Sequence, residues 1–242
     1  MSMFRLPRQL TIGLLTLAIT CAVAIASRNE TCVEFLKRQG IEVTEKGLIV
    51  ALRNPDPHIR DNAAMALADE KLAAAVPAVK EAMTAEKDPW LKVNLAEDLA
   101  RLGDKDGFVA LKNFCDTASP DQRLKAALYM LRFGDESCLS AVQSVLRSEP
   151  EGDHLYVASA LSLIPSFHKL NATEKRELCV LTLKWLADPE PSIRLTASEV
   201  LGKMDDADVI PSLEKAIADE ANPVVRDWME RELDRAKAKN NH

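Results

Sequence analysis

The groups in this chain able to move protons, attack a substrate or hold a metal are four histidines, five cysteines and many carboxylates. His58, His154, His168 and His242 are scattered. No HExxH or CxxC occurs, so the spacing that gathers imidazoles or thiolates on a zinc ion is missing. The acidic runs "DDAD" (Asp205–Asp208) and "EPEGD" (Glu149–Asp153) fall between helical stretches, where carboxylates serve turns. Neither a glycine-rich phosphate loop nor a GxSxG turn is present. The sequence therefore predicts no catalytic residue, no metal site and no cofactor.

A second set of charged residues is periodic. Arg60, Lys92, Arg123, Arg194 and Arg226 each stand three positions after a proline, namely Pro57, Pro89, Pro120, Pro191 and Pro223, and neighbouring prolines are 32, 31 and 32 residues apart outside one gap of 71. Such a column has two chemical uses. It forms a basic stripe that grips an acidic ligand, or each cation bonds to acidic or carbonyl groups of the adjacent turn and builds a ladder along a stack. The ladder is the favoured expectation, and since surface ion pairs are individually weak it serves orientation more than stability.

The elements that position this column are helices. Alanine and leucine dominate an apolar fraction of 47%, aromatics are 5% and glycines number 8, a balance that favours helix over strand. Each proline follows a capping or acidic residue (Asp56, Asp88, Ser119, Glu190, Asn222), as at a helix start where proline at N1 loses no hydrogen bond. Glu190 is the weakest cap of the set. At two, six and ten positions beyond the proline the residues superpose: Ile59, Ala63 and Leu67; Leu91, Leu95 and Leu99; Gln122, Ala126 and Met130; Ile193, Ala197 and Leu201; Val225, Met229 and Leu233. Steps of four keep to one helix face. At seven come the small Ala64, Ala96, Ala127 and Ser198, ending at Glu230. A second helix comes next each time, aligned through Val79, Leu111, Val142 and Leu213. Gly103, Gly134 and Gly202 are expected to end first helices in the left-handed conformation. In the long gap, "DHLYVASALSLI" and "TEKRELCVLTLKWLAD" supply a degenerate pair around an inserted "PSFHKLNA", with Tyr156 in place of the cation.

A helix pair of this size cannot bury both apolar faces alone, so stacking completes the core. The expected fold is all-α: an α-solenoid over residues 44–238, preceded by a targeting segment (1–26) and a linker with a short capping helix (27–43), and followed by a disordered tail (239–242). In this register Cys115 sits late in one second helix and Cys138 early in the next. An offset of about eight residues separates them by roughly 12 Å along the axis, too far for a disulfide, and the thiols are expected to be reduced and buried.

The units "DPHIRDNAAMAL", "DPWLKVNLAEDL", "SPDQRLKAALYM", "EPSIRLTASEVL" and "NPVVRDWMEREL" resemble HEAT repeats, in particular the short kind named after phycobilisome lyases, from about Thr44 to Lys237. The resemblance implies a protein-binding solenoid. The same repeats also occur in lyase subunits and in a few DNA-repair enzymes, so a lyase-like subunit similar to phycobilin lyases is the alternative reading, with a DNA-binding repair protein behind it.

Arg5 and Arg8 precede an uncharged run from Leu10 to Ala26. It reads either as a secretory signal cleaved after Ala26 or as an uncleaved membrane anchor through residues 10–26; in both cases the basic flank favours export of the chain beyond it. Cleavage would move the formal charge from −6 to about −8, which speaks against a nucleic-acid partner, because that affinity comes mostly from neutralising phosphates. The expected partner is a protein or peptide on the concave face of the second helices, through Lys80, Lys112, Asn113, Gln143, Arg147 and Lys215. Trp90 on a first helix is the aromatic candidate, with Trp228 as a second partly exposed ring. The function expected is that of a non-catalytic interaction scaffold.

Overall fold

The computed structural model describes residues 30–147 and 154–240. The targeting segment, "EPEGD" and His242 lie outside the described residues. Within them are thirteen α-helices, and no helix is long and apolar enough to cross a membrane. The described residues form two compact units, divided between Ala85 and Glu86.

The first unit holds α1 (Cys32–Arg38), α2 (Glu45–Ala51), α3 (Pro57–Asp69) and α4 (Val76–Ala85). Thr31 and Glu34 close a reciprocal capping box at the start of α1, and α1 and α2 both pack on α3. Lys71, just past α3, has a left-handed φ of 53°. It occupies the place that Gly103 (φ 84°) and Gly134 (φ 76°) take after the first helices of later units. A side chain there costs on the order of 1 kcal/mol against glycine. Lys71→Gly is therefore expected to stabilise the protein by about 1 kcal/mol, read in a thermal melt as a rise of roughly 2–4 °C.

The second unit runs α5 (Pro89–Arg101), α6 (Lys105–Thr117), α7 (Pro120–Arg132), α8 (Leu139–Arg147), α9 (His154–Leu163), α10 (Ala172–Leu183), α11 (Pro191–Gly202), α12 (Val209–Asp219) and α13 (Pro223–Asn240). Odd-numbered helices pack side by side in one layer, α5 to α7 to α9 to α11 to α13, and α6, α8, α10 and α12 form the other. This is the solenoid arrangement of HEAT-type repeats. All five prolines open helices. The small residues at the sixth and seventh positions are fully buried, with Ala63, Ala64, Ala96, Ala126, Ala127, Ala197 and Ser198 all at 0% exposure. Close helix approach is the result: a methyl group on Gly107 of α6 would meet the Ala100 nitrogen of α5 at 2.4 Å. Gln122 is buried in an otherwise apolar column because its Oε1 accepts from the Ser119 N–H and closes the cap of α7.

Three expectations are corrected. Gly202 is not left-handed; it is the last residue of α11, and its missing side chain admits Glu232 of α13, whose Cβ lies 2.9 Å from where a methyl would stand. The C-terminal tail is helical through Asn240, because Ala236 is buried and Lys237 pairs with Glu214 of α12 at 2.8 Å. The third correction is covalent. Cys115 and Cys138 form a disulfide with a Cα–Cα distance of 5.7 Å. α6 opens 16 residues after Pro89 but α8 opens 19 after Pro120, so Cys138 lies in the turn ahead of α8 and the helical rise does not apply to it. That turn sits beside the last turn of α6.

Candidate interaction surfaces

The periodic cations act first on their own chain. Arg60 Nη1 donates to the carbonyls of Asn54 and Pro55, both at 2.9 Å. Arg194 Nη1 repeats this on Asp188 and Pro189 at 2.8 and 3.0 Å. Arg123 Nε donates to Ala118 O at 2.7 Å, and Arg226 Nε to Glu220 O at 3.0 Å. Each guanidinium thus ties down the loop that enters its helix. Lys92 makes none of these bonds; a single ammonium lacks the fork that reaches two carbonyls.

A partner column escaped the sequence reading. Three positions before the proline stand Asn54, Glu86, Asp188 and Glu220, whose side chains accept from the backbone N–H of the cap residue at 2.9, 2.9, 2.8 and 2.8 Å. The signal was visible as a polar residue in register ahead of the caps. Its use was not, since a polar loop side chain has many partners open to it. At Glu220 the two columns meet: Arg194 Nε and Nη2 donate to its two carboxylate oxygens at 2.6 and 2.7 Å, joining α11 to the loop before α13. The side chains are 15% and 2% exposed, and the Arg194 hydrogen bonds hold the Glu220 carboxyl below the usual carboxylate range.

Second-helix residues chosen as partner contacts divide into two groups. Lys112 donates to Ser137 O at 2.6 Å, ahead of α8. Gln143, buried, donates to Glu177 of α10 at 3.0 Å, and Arg147 pairs with the same carboxylate. These three link neighbouring units. Arg176 continues the series by pairing with Asp206 and Asp208, which gives the "DDAD" loop an inter-repeat role. Lys80 is half-buried in the first unit. Asn113 and Lys215 are exposed, and Lys215 borders a cleft of about 500 Å³ whose wall includes Arg194 and Glu220. Apolar Val109 and Val180 are 67% and 51% exposed on α6 and α10.

The first-helix layer presents a more ordered surface. Between α5 and α7 run three rungs: Lys125 Nζ lies 4.6 Å from the Trp90 ring centre, Tyr129 donates its hydroxyl to Asn94 at 2.9 Å, and Arg132 approaches Glu97 at 3.6 Å. Trp90 remains 45% exposed, and Leu128, one turn from Lys125, is 37% exposed. Cation–π stacking fixes the ring without covering it. Trp228 differs: it is half-buried, with its indole nitrogen buried. His58 and His168 are exposed and enter hydrogen bonds through their backbone N–H groups. Cys32, half-buried beside Asp69, and Cys179 are free thiols. Burial raises both, Cys179 to about 12, with Asp206 adding to it. They are therefore protonated at neutral pH and poor nucleophiles.

Residues 172–234 match the family model described as HEAT repeats. No curated protein sequence matches the chain. Among solved structures, an engineered protein is similar over 79% of this chain and 95% of its own, with 16% identity and a TM-score of 0.47. The complex of CpcE and CpcF of phycocyanin lyase from Nostoc is similar over 81% of this chain and 95% of its own, with 19% identity and a TM-score of 0.37. Human deoxyhypusine hydroxylase in complex with glycerol is similar over 80% and 84%, with 16% identity and a TM-score of 0.29. The match at residues 172–234 identifies HEAT repeats there, and the same proline-capped helix pairs in two packed layers run through the second unit.

Proposed function

We propose that the chain is a non-catalytic protein-binding scaffold that works outside the cytoplasm, secreted or held at a membrane through residues 10–26. The observation that carries this reading is Trp90, an indole 45% exposed and stacked under Lys125 on a face stiffened by rungs. Tryptophan is enriched among binding hot spots, and a ring already held rigid loses little entropy on association. The Cys115–Cys138 bridge supports export, since structural disulfides persist in oxidising compartments.

The test is affinity capture by the full chain from the membrane or envelope fraction, with wild type and Trp90→Ala compared at equal loading. The wild type should retain a defined protein, and Trp90→Ala should weaken its binding by roughly 30-fold, the scale of a hot-spot residue. Equal retention by both proteins, or substrate turnover by the purified chain, would contradict the reading. Mass spectrometry of the mature N-terminus separates a cleaved signal from an anchor.

A further inference from the structure

The degenerate unit holds a cavity beside its insertion. It lies between the insertion after α9 and the loop from α11 to α12 and measures about 320 Å³. Its inner wall is apolar: Ile164, Phe167, Leu178 and Val200 line it and are all buried. Leu170 and Met204, partly buried, stand nearer the mouth.

The walls are held by the protein itself. Glu136, in the loop between α7 and α8, accepts from the backbone N–H groups of His168 and Lys169, each at 2.8 Å, and pins the insertion. Asn171 then caps α10 by accepting from the Glu174 N–H at 3.0 Å. On the opposite side, Arg176 pairs with Asp206 and Asp208 and fixes the α11–α12 loop. A cavity fixed in this way is ready for a ligand without paying to order its lining.

Four charged residues surround it, and two are already neutralised: Lys203 by Glu199 at 2.7 Å and Asp206 by Arg176. Among the described residues, Lys175 and Asp205 have no side-chain hydrogen bond or ion pair. The cavity thus offers an apolar floor with one ammonium donor and one carboxylate acceptor beside it. An amphiphilic anion would find Lys175 but be repelled by Asp205. A peptide segment suits both, because its carbonyl accepts from the ammonium and its N–H donates to the carboxylate. The volume lies at the lower end of ligand sites, which fits a single residue better than a drug-sized molecule.

We propose that this cavity receives one large apolar side chain of a partner polypeptide, with the backbone on either side bonded to Lys175 and Asp205. The proposal rests on the scaffold reading and names the chemistry of its partner. The probe is N-acetyl-phenylalanine-N-methylamide, titrated into the full chain while the methyl resonance of Met204 is followed by NMR. A saturable shift in the millimolar range is expected. Leu170→Trp, which fills the mouth, should abolish it; the changes Lys175→Met and Asp205→Asn should each weaken it three- to tenfold. Absence of a saturable shift, or an unchanged titration in all three variants, overturns the proposal. So does saturation by decanoate without saturation by the amide, which would assign the cavity to a small amphiphile. Trp90-dependent capture is a separate measurement on another helix layer, so a failure here leaves the scaffold reading standing and the two are told apart.

Discussion

Arg194→Met should cost about 3–5 kcal/mol, because it leaves the Glu220 carboxylate buried without its partner. Urea titration of the two proteins at neutral pH measures the loss. The pH dependence supplies a sharper reading. In the wild type, hydrogen bonding from Arg194 depresses the Glu220 pKa, so the unfolded state binds more protons. The stability this confers is full above the unfolded value of about 4.3 and is lost as pH falls through the folded one. Without Arg194, burial opposes the hydrogen bond that Glu220 still accepts from the Asn222 N–H, so the depression shrinks and the gap between the two proteins should narrow as pH falls through the carboxylate range. The difference between the proteins isolates Glu220 from other carboxylates. A variant within 1 kcal/mol of wild type, or with the same pH slope, would show that the pair is not the structural link described.

Breaking the disulfide is the second large effect. Cys115 and Cys138 are separated by 23 residues, and release of a loop of that size adds about 3 kcal/mol of chain entropy to the unfolded state. A Cys115→Ser, Cys138→Ser double variant should be destabilised by about that amount, and reductant should shift the wild type to match it. Cys179→Ser lies outside the bridge and should leave the reductant effect intact. If reductant changes nothing in the wild type, the bridge does not constrain the unfolded chain.

These two features mark where sequence reasoning reached and where it stopped. The five prolines, their caps and the columns two, six and seven residues on were legible because each arises from helix geometry within a dozen residues. The disulfide was misread because register assumed that every second helix starts at the same distance from its proline, whereas Cys138 precedes α8 in a turn. Gly202 was assigned a left-handed role from its place near a helix end; its true constraint comes from Glu232, on a helix thirty residues away in sequence. Surface roles were less legible still. Lys112, Gln143 and Arg147 are outward in a helical wheel, but acceptors at Ser137 and Glu177 in the following unit claim them. No periodicity within one helix reveals what its neighbour offers. Trp90 remains the sequence-chosen residue with a large exposed apolar surface.

The arginine clamps bear on how such a chain grows and shrinks. Arg60 and Arg123 draw on carbonyls five or six residues behind them, so the instruction for entering each of those helices travels with the module that uses it. Duplication or deletion of a whole module at those boundaries should leave the flanking turns correctly built. The boundary after α12 is different, because Arg194 needs Glu220 from the next module. A shortened version that ends before Glu220 would leave Arg194 on its two carbonyls but without its counter-ion, which makes the last two modules a unit of inheritance.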